Sequence, residues 1–339
     1  MKSIVVTEFG SSDVLEVRET ETPEPGPGEV RIDVAAVGLN FADVMQRRGH
    51  YRGGPEPPFV PGLEAAGTVD AVGEGVERDV GDSVVALTDE AYAEYATAPE
   101  QSLFDVPEGM SFAEAAGFPV QFLTAYNCLH NWGDVTAHDR VLIHAAAGGV
   151  GTAAVQLADH AGAESFGTAS TQEKLDLAAD LGLDRGINYE ESDFRDVVDE
   201  ETDGDGVDLV LDGVNGETFD RSLDVLSPFG RVVVYGAASG DVASADTTRL
   251  LFENKSVVGF HLATPSRTTP RASSARSTTC NASSCRANST SSSARRSPSK
   301  TRRRRRSTSR TDRASGKSSS NRSASLRVRT RPGIGRVDG

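Results

Sequence analysis

The sequence predicts an α/β protein in which a β-rich first part is followed by a doubly wound parallel sheet. Three observations carry this. Alternating runs such as Glu29-Val30-Arg31-Ile32-Asp33-Val34, broken by punctuation such as Pro23-Glu24-Pro25-Gly26-Pro27-Gly28, mark residues 1 to about 115 as half-buried strands. The period then changes: Ser111 and Glu114 form a capping box ahead of an Ala-, Leu- and Phe-rich run to His130. Beyond it, strand-like runs at Val141–Ala145, Ser165–Ala169, Gly186–Tyr189, Asp208–Leu211, Arg231–Tyr235 and Ser256–Leu262 alternate with helical runs near 150–161, 172–181 and 217–226. Short crossovers between such strands require a parallel sheet, and ligands then bind at the carboxyl ends of the strands.

Periodicity stops after Leu262. Residues 265–339 are dominated by Ser, Thr and Arg, include the run Arg302–Arg306, and hold almost no large apolar residue. Such a segment cannot bury enough surface to offset the entropy of ordering, so a disordered basic tail is expected. The expected domains are therefore 1–115, 116–264 and the tail 265–339.

The net charge of −15 divides unevenly, with −33 on residues 1–264 and +18 on the tail. The body holds only three lysines, Lys2, Lys174 and Lys255. A dense carboxylate surface stays soluble by repulsion and hydration, and salt screens the repulsion that loosens the fold. A halophilic protein of a salt-loaded cytoplasm is expected. Such a body repels nucleic acid, which leaves only non-specific contact through the tail. Cys128 is the one body cysteine, which excludes an intra-body disulfide or a cysteine-rich metal site. No stretch is long and apolar enough to span a membrane, and Met1 leads straight into strand-like Ser3-Ile4-Val5-Val6, so a cytoplasmic location is expected.

The run Val141–Ala145 leads into Ala146-Ala147-Gly148-Gly149-Val150-Gly151 and an apolar helix. Glycine lets a backbone approach a pyrophosphate, whose charge is favoured at a helix N-terminus. The fingerprint departs from G-x-G-x-x-G at Ala146, which holds the first glycine position. An NAD site places a carboxylate at the end of the second strand. Here that strand ends Gly167-Thr168-Ala169-Ser170, without one. A 2′-phosphate needs hydroxyls and a cation instead, and Ser170 and Lys174 supply both; NADPH is the expected cofactor. The competing reading pairs Lys174 with Glu173 or Asp176 on a helix surface.

With these residues in place, the chain resembles the zinc-independent, zeta-crystallin-like quinone oxidoreductases of the medium-chain dehydrogenase/reductase superfamily. The resemblance rests on GLNFADVMQRRGHY (38–51), PGLEAAGTVDAVGEGV (61–76), LTAY (123–126), HAAAGGVGTAAVQLA (144–158), GINY (186–189) and VVVYGAASG (232–240), in family order. It implies a GroES-like β-barrel domain followed by a Rossmann domain, with acceptor and nicotinamide between them. It implies Asn40 beside the nicotinamide, Tyr51 lining the acceptor pocket, Thr124 and the Gly236-Ala237 turn on the cofactor, and Tyr189 beside the 2′-phosphate. Zinc-dependent relatives carry a ligand histidine before the glutamate of the PG-x-E segment; Leu63 stands there, and no metal site is expected. Hydride transfer to an already electrophilic acceptor, a quinone or an activated alkene, then fits. The six body histidines show no ligand spacing and read as structural, and no acid/base pair is visible. Family dimers pair through the last Rossmann strand, here Ser256–Leu262, which makes a homodimer the expected assembly.

In this family the chain returns from the Rossmann domain to close the barrel, and no such return is visible after Thr264. Read one frame over with GC-rich codons, Ser266 to Ser291 becomes ADDPARVLGAIDDLQRELLPGELDV and Ser315 to Arg322 becomes GEVVVEP, an acidic helix and a final strand. The tail is therefore expected to be a frameshift product. The alternatives to an NADPH:quinone reductase are an enone or enoyl reductase using the same cofactor, and a non-catalytic NADPH-binding protein with RNA contacts.

Overall fold

The computed structural model describes residues 1–262. The part expected to be a tail, 265–339, lies outside the described residues.

The first strands are β1 (Lys2–Val6) and β2 (Leu15–Glu19), an antiparallel pair. The main sheet of this part contains β3 (Glu29–Val37), β4 (Glu64–Val72), β5 (Ser83–Leu87), β6 (Tyr95–Pro99) and β7 (Leu103–Asp105), in the order β6-β3-β4-β5-β7 and antiparallel throughout. Alternation along β3 decides which face is buried: Val30, Ile32, Val34 and Ala36 are enclosed, while Asp33 points to water. Helix α1 (Phe41–Arg47), which sequence periodicity missed, follows β3 directly.

The capping box at Ser111 forms as expected. Glu114 accepts the Ser111 N–H at 2.9 Å, and the Ser111 hydroxyl oxygen accepts the Glu114 N–H at 3.3 Å. The helix it opens is short, α2 (Phe112–Ala115). The expected continuous run to His130 breaks because Pro119, which lacks an N–H, opens a second helix, α3 (Pro119–Tyr126), followed by the π-helical turn Asn127–Asn131.

Next come β8 (Arg140–Ile143), α4 (Gly149–Ala161), β9 (Glu164–Ala169), α5 (Gln172–Asp180), β10 (Arg185–Asn188), α6 (Phe194–Glu201), β11 (Val207–Asp212), α7 (Glu217–Val225), β12 (Leu226–Val234), α8 (Thr247–Glu253) and β13 (Ser256–Gly259). The sheet order is β10-β9-β8-β11-β12-β13, all parallel. The strand order reverses between β8 and β11, which makes their carboxyl ends the crevice of the sheet. Val141, Leu142 and Ile143 of β8 and Leu209, Val210 and Leu211 of β11 are all buried, as strands covered on both faces must be. Helices α6 and α8 were not legible from periodicity, but each has a cap, Asp193 and Asp246.

His144, just past β8, ties the end of β9 to helix α7. The Ser222 hydroxyl donates to the Thr218 carbonyl at 2.6 Å, so its oxygen accepts from His144 Nε2–H at 2.8 Å. The bare Nδ1 then accepts from the Thr168 hydroxyl at 3.1 Å. The ring is neutral in the fold: burial, and then the nearby Arg221 charge, push its pKa down to about 3. A base with a depressed folded-state pKa stabilises fully above its ordinary value of 6.5 and progressively less as pH falls toward 3. His144→Ala is expected to cost about 2–4 kcal/mol by leaving Thr168 and Ser222 facing a cavity. Urea unfolding should also show that the variant lacks a loss of about 2 kcal/mol that His144 imposes between pH 7 and 5.

Candidate active site at the crevice of the parallel sheet

The turn after β8 sits at the switch point. Ala145 takes the left-handed conformation at φ 53°, a strained position for a residue with a Cβ. Ala146 is fully buried, its N–H donating to the Thr168 carbonyl at 2.9 Å. Ala146 thus serves where the fingerprint has glycine, because the left-handed residue is the one before it. Gly151 is different: a Cβ there would lie 2.2 Å from the Ala145 carbonyl oxygen, so only glycine lets α4 seat against the turn.

Helix α4 is thirteen residues long, and its cap, Gly148, offers no side-chain acceptor to the first-turn N–H groups. Helices α5, α6 and α8 are capped by Thr171, Asp193 and Asp246, whereas α7, like α4, begins at a glycine, Gly216, without a side-chain cap. The positive end of α4 is therefore available to an anion, with Gly148 and Gly149 exposed and Val150 half-buried. Gln121 of α3 lies against Gly149, a neighbour not apparent from the sequence.

At the end of β9, Lys174 Nζ donates to the Ser170 hydroxyl at 2.8 Å. Lys174 has no ion pair among the described residues, and Asp176 accepts from Gln172 instead. The exposed Tyr189 follows β10, its N–H donating to the Ala169 carbonyl at 3.1 Å. Gly236 and Ala237 follow β12, held at the same edge by Tyr235 N–H on the Asp212 carbonyl and Ala238 N–H on the Gly213 carbonyl, each 3.0 Å. Thr124 is buried on α3, which packs against α4.

Asp212, ending β11, was missed by sequence reasoning. Its Oδ1 accepts the N–H groups of Val214 and Asn215, while Oδ2 is buried without a hydrogen-bond partner among the described residues. Burial raises its pKa, and the two backbone donors oppose that. A carboxylate closing an apolar strand, Val207-Asp208-Leu209-Val210-Leu211-Asp212, was the available signal.

Asn40 stands at the start of α1 on a buried acidic network. Its side-chain amide donates to Glu64 Oε1 at 2.9 Å, and its backbone N–H donates to Asp43 Oδ2 at 2.8 Å. Glu64, fully buried, also accepts the Val120 N–H of α3 at 2.8 Å. Asp43 accepts the Tyr92 hydroxyl at 3.0 Å, and its Oδ1 is buried without a partner among the described residues. Gly38 must be glycine, because a Cβ there would sit 2.1 Å from Glu64 Oε1 and 2.4 Å from the Ala116 carbonyl oxygen. Desolvation, opposed by these donors, raises Asp43 to about 6 and Glu64 to about 7. The sequence reading found no acid/base pair; two carboxyls with raised pKa flank Asn40, hidden in sequence because neither is near a histidine or a second acid. A glutamate among the buried Ala65, Ala66 and Gly67 of β4 was the signal.

Tyr51 meets His261 just past β13, with its hydroxyl 2.6 Å from Nε2. Of the histidines read as structural, His144 is a packed lock, whereas His261 is exposed and faces the residue expected at the acceptor pocket.

The uncapped turn of α4 and the ends of β9, β10 and β12 thus belong to the parallel-sheet half, and Asn40 and Tyr51 to the half built on the antiparallel sheet. Residues 26–108 match the alcohol dehydrogenase GroES-like domain and residues 149–276 the zinc-binding dehydrogenase domain. A 2-haloacrylate reductase from Burkholderia is 41% identical over 243 residues, covering 70% of this chain and 73% of its own. The human synaptic vesicle membrane protein VAT-1 homolog is 38% identical, covering 77% and 72%. Among solved structures, a mycobacterial protein in complex with NADPH is 40% identical with a TM-score of 0.73, covering 77% of this chain and 81% of its own. Escherichia coli quinone oxidoreductase in complex with NADPH is 33% identical with a TM-score of 0.71 and the same coverage. The chain belongs to the zinc-independent, quinone oxidoreductase-like family of the medium-chain dehydrogenase/reductases. No helix among the described residues is long and apolar enough to cross a membrane.

A carboxyl raised by burial penalises the folded state increasingly as pH rises from its ordinary value, 4.5 for Glu64, toward about 7. At pH 5 Glu64 is the neutral acid, which like Gln offers one carbonyl oxygen to its two donor partners. Glu64→Gln should therefore lie within about 1 kcal/mol of wild type there and become about 2 kcal/mol more stable than wild type by pH 8, where the buried carboxylate penalises the wild-type fold. Thermal unfolding at the two pH values checks this; a constant gap would contradict the assignment.

Proposed function

We propose that the chain is an NADPH-dependent reductase that transfers hydride to quinones without a metal. The observation that carries this reading is Lys174, directed at the Ser170 hydroxyl at the end of β9 and without an ion pair among the described residues, in a body of charge −33 where carboxylates abound. A 2′-phosphate is the partner such a pair suits, with Tyr189 beside it. Gly148, Gly149, Val150 and Gly151 would hold the pyrophosphate at the uncapped α4 terminus. Gly236, Ala237 and Thr124 would contact the cofactor, and Asn40 would orient the nicotinamide end with its amide fixed by Glu64. When bound, the reduced nicotinamide supplies the hydride. Leu63 precedes Glu64, so the position of a zinc-ligand histidine holds an aliphatic side chain, and the acceptor must be electrophilic without Lewis-acid help.

A second reading, reduction of an activated alkene, is favoured by the likeness to the Burkholderia 2-haloacrylate reductase. A homodimer through β13 belongs to the proposal, supported by that strand's place at the edge of the sheet among the described residues and by the exposed Leu251 and Phe252 of the preceding α8. A salt-loaded cytoplasm as the working environment is supported by the acidic body.

NADPH oxidation by the full chain in molar KCl against benzoquinones, 2-alkenals and crotonyl-CoA tests the activity. Quinones should turn over fastest, and Lys174→Glu should raise the NADPH KM at least about tenfold with little change for NADH. Equal effects on both cofactors would remove the 2′-phosphate argument. The frameshift origin of residues from about 265 is likewise a proposal, supported by the acidic helix and strand recovered one frame over. Resequencing the gene should place a frame change near codon 265; an unbroken frame, with tail peptides found by mass spectrometry, refutes it.

A further inference from the structure

Gly149 opens α4, yet its own backbone does not ask for glycine, since it is not left-handed. What excludes a side chain there is Gln121 of α3. A Cβ on Gly149 would lie 2.7 Å from Gln121 Cδ and 2.8 Å from Nε2, well inside van der Waals contact. The Gln121 amide therefore rests on the bare Cα of the first residue of the helix that follows the glycine turn.

That amide makes no hydrogen bond among the described residues. Gln121 is half-buried, but neither its Oε1 nor its Nε2 is sealed from solvent, so a ligand is able to reach both. Nor is it a cap, because no side chain accepts the first-turn N–H groups of α4 among the described residues. Helix α3 is meanwhile held from its other side: the Val120 N–H donates to Glu64 Oε2 at 2.8 Å, and Thr124, one turn on, is buried. A fixed backbone thus presents a free amide at the start of α4.

We propose that Gln121 is a nucleotide-binding residue, whose side-chain N–H donates to the pyrophosphate of NADPH at the α4 terminus. The assignment rests on the cofactor reading above. A helix end offers an anion only its backbone N–H groups. An amide from a second helix adds a donor from another direction. A pyrophosphate has acceptor oxygens only, so the amide meets it with its NH2 group and not with its oxygen. The pyrophosphate is common to NADPH and NADH, so Gln121 serves both alike, whereas Lys174 answers to the 2′-phosphate alone.

The test compares the full chain with Gln121→Leu, Gln121→Glu and Lys174→Glu in molar KCl, where long-range charge is screened. NADPH and NADH affinities are read from nucleotide fluorescence and 2′-AMP affinity from displacement of NADPH. Unfolding temperatures are taken without nucleotide. Gln121→Leu keeps the bulk but not the donor, and should weaken NADPH and NADH by the same factor, about 10-fold. It should leave 2′-AMP, which has no pyrophosphate, unchanged. Gln121→Glu should weaken both dinucleotides further, to about 100-fold, while unfolding no lower than wild type, because a carboxylate at the positive end of α4 takes the place of the anion. Lys174→Glu should show the reverse pattern, with 2′-AMP and NADPH weakened and NADH kept. A Gln121→Leu chain that binds both dinucleotides as wild type does would overturn the inference and leave Gln121 a spacer between α3 and α4. So would an equal loss of 2′-AMP affinity, which marks a displaced site and not a lost donor. A wild-type chain that binds neither NADPH nor NADH would overturn the cofactor reading itself, and this assignment with it.

Discussion

Glu64 is a full carboxyl group placed among the small buried residues of β4, and the arrangement of the crevice depends on how its two oxygens are satisfied. One accepts from the Asn40 amide, the other from the first turn of α3, so a single side chain joins the strand sheet, the start of α1 and the helix that packs on α4. Removing a carboxylate from water is costly unless donors replace the water. Two charge-assisted hydrogen bonds are what make the burial tolerable, and in return they fix the amide of Asn40 in one orientation. The cost still appears as a raised pKa, and the Gly38 backbone must give way to the carboxyl oxygen.

The opposite side of the crevice relies on a helix end left uncapped. Among the crossover helices, α5, α6 and α8 satisfy first-turn N–H groups with Thr171, Asp193 and Asp246, while α4 and α7 begin at glycine without a side-chain cap. Positive potential is scarce in this acidic body, and the arginines are largely engaged with carboxylates: Arg195 with Asp193 and Asp224, Arg249 with Asp224 and Glu253. Surface pairs of this kind add little stability each. They do show where cations are already neutralised, and Lys174 at the crevice is outside that set.

Most of the fold was legible because its signals are local. Alternation placed β3, the Ser111–Glu114 box marked the start of α2, and the glycine turn lay between a strand and a helix as required. The helix expected from Ser111 to His130 was wrong in its continuity, since Pro119 restarts it. The last strand ends at Gly259, short of Leu262, which lets His261 leave the sheet toward Tyr51. Short helices α1, α6 and α8 escaped because seven or eight residues hold too few turns for a period to register.

The sequence by itself determined the order of the elements, the glycine turn between β8 and α4, the absence of a carboxylate at the end of β9 and the aliphatic residue before Glu64. These follow from residue types at short spacing, where chain geometry leaves few choices. The tertiary structure alone decided which acids are buried and what faces them. Glu64 and Asn40 are 24 residues apart, Tyr51 and His261 are 210, and no spacing rule links such pairs. Burial and hydrogen bonding depend on which surfaces the packed sheets bring together, and that is set by the whole chain.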